Sequence, residues 1–289
     1  MLIAQISDLH VNEGDSPINA LVDANANAAA AIDYLHELSP RPDAVVATGD
    51  LTNNGRPAQY EALRELFDRC QIPLYAIPGN HDERAAFLEA FPHHPYLPRH
   101  GGPLHYVIDD HPVRLVGVDT TQPGRHDGAL EAHELNWLDA TLDAGRDRPT
   151  LVFMHHPPFE TGVWWMDCIG LPEEHRRGFE QVIRRHPQVR RVVSGHIHRS
   201  VHTAWGSTIV SVAPSTAHQV GLDLEPGGSM LLTDEPSMIT LLAWTGNQVV
   251  SHETAFQPRT SIDMAASLPA GAKAALLARP PAPKGGAFT

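Results

Sequence analysis

The chain has 289 residues, 42% of them hydrophobic, with a formal net charge of −13 and only two cysteines. This suffices for one large α/β domain or two small ones, but no apolar run reaches the ~18 residues of a membrane span and no basic stripe offers itself to nucleic acid. The opening "MLIAQISDLH" predicts no leader peptide, and the distant Cys70 and Cys168 form neither a disulfide framework nor a metal pair, which predicts a reducing, cytoplasmic setting.

In chain order, "LIAQIS" (2–7) is a strand, and residues 17–38 carry Ala, Leu and Ile at helical spacing between Pro17 and Ser39-Pro40. A buried strand follows at 44–48, an amphipathic helix at 57–69 with Pro57 in its first turn, a strand at 74–77 and a short helix at 84–91. Segments 104–109 and 113–119 predict a hairpin. Then come a helix at 131–143, a strand at 150–154, a loop at 159–171, a helix at 173–186 and a strand at 191–194. The stretch from 201 to 255 is mostly β-like, and the last thirty or so residues, with "ARPPAPKGG", read as a loosely packed tail. Alternating strands and helices imply parallel βαβ units. With the closing β-rich part they predict an α/β fold, a two-sheet sandwich flanked by helices. One domain then covers 1–256, with 257–289 as the tail.

The polar residues fall at strand ends. Strand 2–7 runs into Asp8 and His10, strand 44–48 into Asp50, strand 74–77 into Asn80 and His81, strand 150–154 into His155 and His156, and strand 191–194 into His196 and His198. Ligands of open α/β sheets bind beyond the carboxyl ends of strands, so the fold would gather these residues at one rim. Asp8, His10, Asp50, Asn80, His156, His196 and His198 make seven donors without a thiolate. That is too many for one small cation and suits two that share a carboxylate, with Fe, Mn, Zn or Co favoured over Ca²⁺ or Cu(I). Glycines precede Asp50, Asn80 and His196 and let the backbone bring each of them close. An excess of acid also fits a chain some of whose carboxylates hold cations and so attract an anionic substrate.

The motifs Asp8-Leu9-His10, Gly49-Asp50 through Gly55, Gly79-Asn80-His81-Asp82, His155-His156-Pro157-Pro158 and Gly195-His196-Ile197-His198 resemble those of the calcineurin-like metallophosphoesterase superfamily. "GRPAQY" and "STAHQV" are similar to its class III cyclic-nucleotide phosphodiesterase and glycerophosphodiesterase branch. The resemblance implies the four-layer αββα form of the sandwich. It implies a first metal, usually iron, on Asp8, His10, Asp50 and His198, and a more labile second, often Mn, Zn or Co, on Asp50, Asn80, His156 and His196. Asp50 would bridge them. His81 would stay off the metals and face the phosphate as a leaving-group acid or transition-state stabiliser, with Asn80 helping to stabilise the phosphoryl oxygens. His218 would be a substrate-side residue and His155 structural.

The implied reaction is hydrolysis of a small phosphodiester, a cyclic nucleotide or glycerophosphodiester, by in-line attack of metal-bound hydroxide without a covalent intermediate. A phosphomonoesterase is the alternative, and a non-catalytic scaffold with this fold a second one. The partner is thus a small molecule rather than a nucleic-acid polymer or a membrane, and the branch implies a homodimer. Asp82 reads as the cap of the helix from 84, or as a group that orients an imidazole. Trp164 and Trp165 read as an apolar wall for a base or alkyl group, or as a packing contact. The remaining twelve of the 19 histidines read as surface or loop residues.

Overall fold

A computed structural model describes residues 1–278 except 15, 100, 207, 258, 259 and 261. Two main sheets face each other. The first has the order β13-β12-β1-β2-β3, built from β1 (Leu2–Ile6), β2 (Ala44–Thr48), β3 (Leu74–Ile77), β12 (Met238–Trp244) and β13 (Val249–Ala255). In the second the order is β4-β5-β6-β7-β9-β8, from β4 (Tyr106–Ile108), β5 (Arg114–Val118), β6 (Thr150–Met154), β7 (Val189–Ser194), β8 (Val201–Trp205) and β9 (Thr208–Val212). A small hairpin joins β10 (Gln219–Val220) to β11 (Leu232–Thr233).

Strands β1, β2 and β3 run parallel, as do β5, β6, β7 and β9. They read as unbroken apolar runs because each is covered on both faces. Along β6 the parity is plain: Leu151 and Phe153 join the core between the sheets, while Val152 and Met154 face the second helical layer. The helices α1 (Ala24–Glu37), α2 (Pro57–Asp68) and α3 (Arg84–Ala90) cover the first sheet, and α4 (Ala132–Asp143) and α6 (Glu173–Arg184) the second. Polar cross-links fix the sheets face to face. The Gln5 amide donates to Thr48 Oγ1 (3.1 Å) in its own sheet and to the Ser194 carbonyl (2.9 Å) in the other.

Three elements depart from the sequence expectation. The helix expected over 17–38 is split into a 3₁₀ turn (Pro17–Ala20) and α1, because the Asp23 side chain accepts from Ala26 N (2.9 Å) and starts a new helix. The loop expected at 159–171 contains a one-turn helix, α5 (Trp164–Asp167), whose preceding turn is tied by the Asp167 carboxylate accepting from Thr161 N and Gly162 N. The tail carries a 3₁₀ turn (Met264–Ser267) and a helix, α7 (Ala270–Leu277), as suits an Ala-rich stretch of high helix propensity. The final segment of the expected tail, 279–289, lies outside the described residues.

Candidate metal centre

Among the described residues, five non-glycine positions have positive φ, and all five are expected ligands: Asp8 (53°), His10 (48°), Asp50 (47°), His196 (74°) and His198 (53°). Such conformations are uncommon for residues with a Cβ and persist only where surroundings impose them. The surroundings are visible. Beyond β1 and β2 the two chains stay zipped, with Asp8 N donating to Gly49 O, His10 N to Asp50 O and Val11 N to Leu51 O, all at 3.0–3.1 Å. The carboxylates then gather neighbouring loops: Asp50 accepts from His81 N (2.9 Å), and Asp8 from His196 N (3.1 Å).

The glycines expected to permit close approach do so. A Cβ on Gly79 would stand 2.1 Å from Asp50 N, one on Gly195 2.2 Å from Ser7 Oγ, and one on Gly49 2.5 Å from His155 Nδ1. Asp82 is not the cap of α3; Glu83 is, accepting from Ala86 N at 2.7 Å. The half-buried Asp82 carboxylate instead clamps two loops, accepting from Gly79 N, Leu51 N, Thr52 N, Thr52 Oγ1 and Tyr60 OH at 2.9–3.1 Å. A backbone this crowded leaves the cap to the next residue along.

The cluster divides around Asp50. On one side Asp8, His10, Asp50 and His198 bring their ligand atoms within 4.8 Å of one another, all buried. His198 Nδ1 donates to the His218 carbonyl (2.9 Å), so its Nε2 lone pair faces Asp8 Oδ1 (3.3 Å) and His10 Nε2 (3.2 Å). His10 Nδ1 has no hydrogen-bond partner. On the other side the Asn80 oxygen meets His196 Nδ1 (2.9 Å) and His155 Nε2 (3.0 Å), with Asp50 Oδ1 3.4 Å from His155 Nε2. His196 Nε2 is likewise unpartnered.

Here the geometry departs from the choice of His156 over His155. Thr48 O can only accept, so His155 Nδ1 donates to it (2.8 Å) and its Nε2 points at Asp50 and Asn80. His156 lies in the same group, but both its nitrogens are engaged: Nε2 donates to His126 O (3.0 Å) and Nδ1 accepts from Thr120 Oγ1 (2.8 Å). Two adjacent histidines after one strand look alike in sequence. Each ring packs on a glycine, Gly49 for His155 and Gly128 for His156; what separates them is Thr48 O, which holds His155 Nδ1 and so aims its Nε2 at Asp50 and Asn80.

The electrostatics of the cluster favour positive charge. Acceptor atoms of Asp8, Asp50, Asn80, His155 and His198 point at one another, an arrangement that only positive charge stabilises. Among the protein's own groups, protons serve that purpose. Burial opposes charge on His155, but Asp50 overrides it and pushes the imidazole up to about 9. His198 is raised against burial by Asp8. Burial would lift the Asp50 carboxyl, yet His155 and His81 hold it well below the usual carboxylate range. His10 and His196 are held well below ordinary imidazole values, by burial first and then by His81 and His156 respectively. Neutral imidazoles, carboxylates and an amide oxygen without a thiolate are a donor set for intermediate cations of the Fe, Mn, Zn or Co kind, and the residues present fit two of them sharing Asp50.

Around the cluster, His81 Nδ1 donates to Asn53 O (2.8 Å) and its ring lies 4.9 Å from that of His10. His218 sits beside His198 (ring centroids 4.6 Å) and is pushed down to about 3 by burial and by His198. Both line one cavity of about 160 Å³ with His10, Asp50, Asn80, His196 and His198. Trp164 and Trp165 do not line it; they are 37% and 42% exposed, and Met166 and Ile169 of the same segment take the wall position. Among the histidines read as surface or loop, His186 is buried against Asp139 (2.7 Å) and His126 lies at the site edge, 3.2 Å from the Asn80 amide. Loop composition gave no signal for either.

Comparison with known proteins agrees with this geometry. The calcineurin-like phosphoesterase family matches residues 1–200. The glycerophosphodiester phosphodiesterase GpdQ of Enterobacter lignolyticus is 38% identical over 223 residues, 76% of this chain and 79% of that one. The 3',5'-cyclic adenosine monophosphate phosphodiesterase CpdA of Pseudomonas aeruginosa is 30% identical over 234 residues, covering 81% of each. A dimetal phosphatase from Danio rerio shares the fold at a TM-score of 0.62 and 15% identity, over 89% of this chain and 96% of that one. The chain belongs to the calcineurin-like phosphoesterase family.

Proposed function

We propose that the chain is a metal-dependent phosphodiesterase that hydrolyses small phosphodiesters of the glycerophosphodiester or cyclic-nucleotide kind. The observation that carries this reading is the buried ring of lone pairs around Asp50, with donors enough for two cations. Asp8, His10, Asp50 and His198 would hold one, an iron; Asp50, Asn80, His196 and His155, in place of His156, would hold the other, Mn, Zn or Co. Two such cations supply Lewis-acid activation of water and neutralise phosphoryl oxygens.

The chain's own residues complete the reaction. His81 is fixed by its Nδ1–H to Asn53 O, which leaves Nε2 as the nitrogen that gives a proton to the departing alkoxide or donates a hydrogen bond to the phosphoryl group. His218, kept neutral by burial beside His198, contacts the substrate without adding charge. Among the described residues no lysine or arginine lines the cavity, so the walls add no cation to those of the metal site for the second charge of a monoester, which supports the diester reading.

The catalytic unit is residues 1–256, closing with β13, and 257–289 lies outside it. Exposed Leu222, Leu224 and Leu231 support a homodimer, and the free thiols of Cys70 and Cys168 support a reducing cytoplasm. Among the described residues, no helix is long and apolar enough to cross a membrane. The test is hydrolysis of bis(4-nitrophenyl) phosphate by chelated and then metal-reloaded protein. Reloaded enzyme no faster than Asp50→Ala ends the proposal.

A further inference from the structure

The cavity over the cluster has two chemically distinct parts. Its floor is the histidine, carboxylate and amide cluster; its walls are Ile18, Met166, Ile169, Val220, Met230 and Leu232. Among the described residues, no charged side chain except Asp50 and the imidazoles lines it. Met230 is 51% exposed, an apolar side chain left standing at the rim of a polar site.

These walls are built to hold a position. Val163 and Met166 pack with Val220 and with Ile197, the residue between His196 and His198, so the wall is keyed to the loop carrying those two histidines. Asp167 ties the turn before α5 by accepting from Thr161 N (2.9 Å) and Gly162 N (2.8 Å). Trp165 Nε1 donates to Gly228 O and joins α5 to the hairpin that carries Met230 and Leu232. Trp165 thus braces the wall from outside.

We propose that Met166, Ile169, Met230 and Leu232 form a specificity subsite for an apolar, uncharged ester arm of the diester, an aromatic ring being the best fit. This rests on the phosphodiesterase reading for the floor only. An aryl or base-like arm shields these side chains from water, and methionines adapt to a flat ring's edges and faces. An ammonium-bearing arm finds no counter-charge on the walls and leaves them wet.

The test is calorimetric titration of full-length, metal-replete protein with diphenyl phosphate and with dimethyl phosphate. The wild type should bind the diphenyl ester at least about tenfold more tightly, as apolar pockets discriminate. Met230→Gln, at an exposed position that tolerates polarity, and Met166→Gln should each remove most of that preference while dimethyl phosphate binding stays unchanged. Met230→Leu should keep it. Equal wild-type affinity for the two esters, or equal weakening of both in the glutamine variants, overturns the subsite. A preserved preference in a protein that hydrolyses no diester refutes the catalytic reading and leaves the subsite standing.

Discussion

The two halves of the cluster share Asp50 but are assembled differently. The first draws on two carboxylates, and two of its donors, Asp8 and His10, stand on loops zipped by consecutive backbone hydrogen bonds. The second has only the shared carboxylate, the neutral Asn80 oxygen and two imidazoles, and it spans both sheets through His155 Nδ1 and Thr48 O. Less negative charge predicts that the second half is the weaker cation site. Lability is therefore expected there from the donor charges alone.

Breaking both halves at once should have the largest effect. Asp50→Ala removes the shared carboxylate, and metal analysis should find both cations lost, with activity down by roughly 10³-fold or more. Next, His155→Ala should leave one cation of two and lower activity by roughly 100-fold, while His156→Ala keeps both. Metal contents the other way round would restore His156 to the ligand set. His81→Ala should keep both cations and lose on the order of 10²–10⁴ in rate, most for esters with poor leaving alcohols. A vacant site in that variant contradicts its separation from the metals.

A smaller effect sharpens the comparison from outside the cluster. Asp82→Asn turns an amide N–H toward donors that now meet a carboxylate oxygen, for a loss of about 1–3 kcal/mol in a thermal or denaturant melt. Because Asp82 clamps the Asp50 loop to Gly79, affinity for the second cation should fall by roughly 10–100-fold. Unchanged metal affinity would mean that the clamp serves the fold alone.

Much of the site was legible because backbone geometry follows short patterns. An apolar run marks a strand, and the polar residues just past it mark donors, with a glycine making the tight turn before Asp50, Asn80 and His196; Asp8, His10 and His198 lie past strand ends in the same way. Where the pattern is degenerate it leaves the choice to the fold. His155 and His156 follow the same strand, Asp82 and Glu83 precede the same helix, and Trp164 and Met166 share one turn. In each pair the outcome hangs on a neighbour distant in sequence: Thr48 for His155, the Leu51–Thr52 amides for Asp82, Ile197 for Met166.

By itself, then, the sequence determined the α/β alternation, the parallel strands and the set of donor types, since these depend on residues near one another along the chain. The tertiary structure alone decided which carbonyl holds each of two adjacent histidines, what Asp82 holds, and which apolar side chains wall the cavity. Those choices depend on which atoms from the opposite sheet or loop occupy the remaining space, and no local spacing records that.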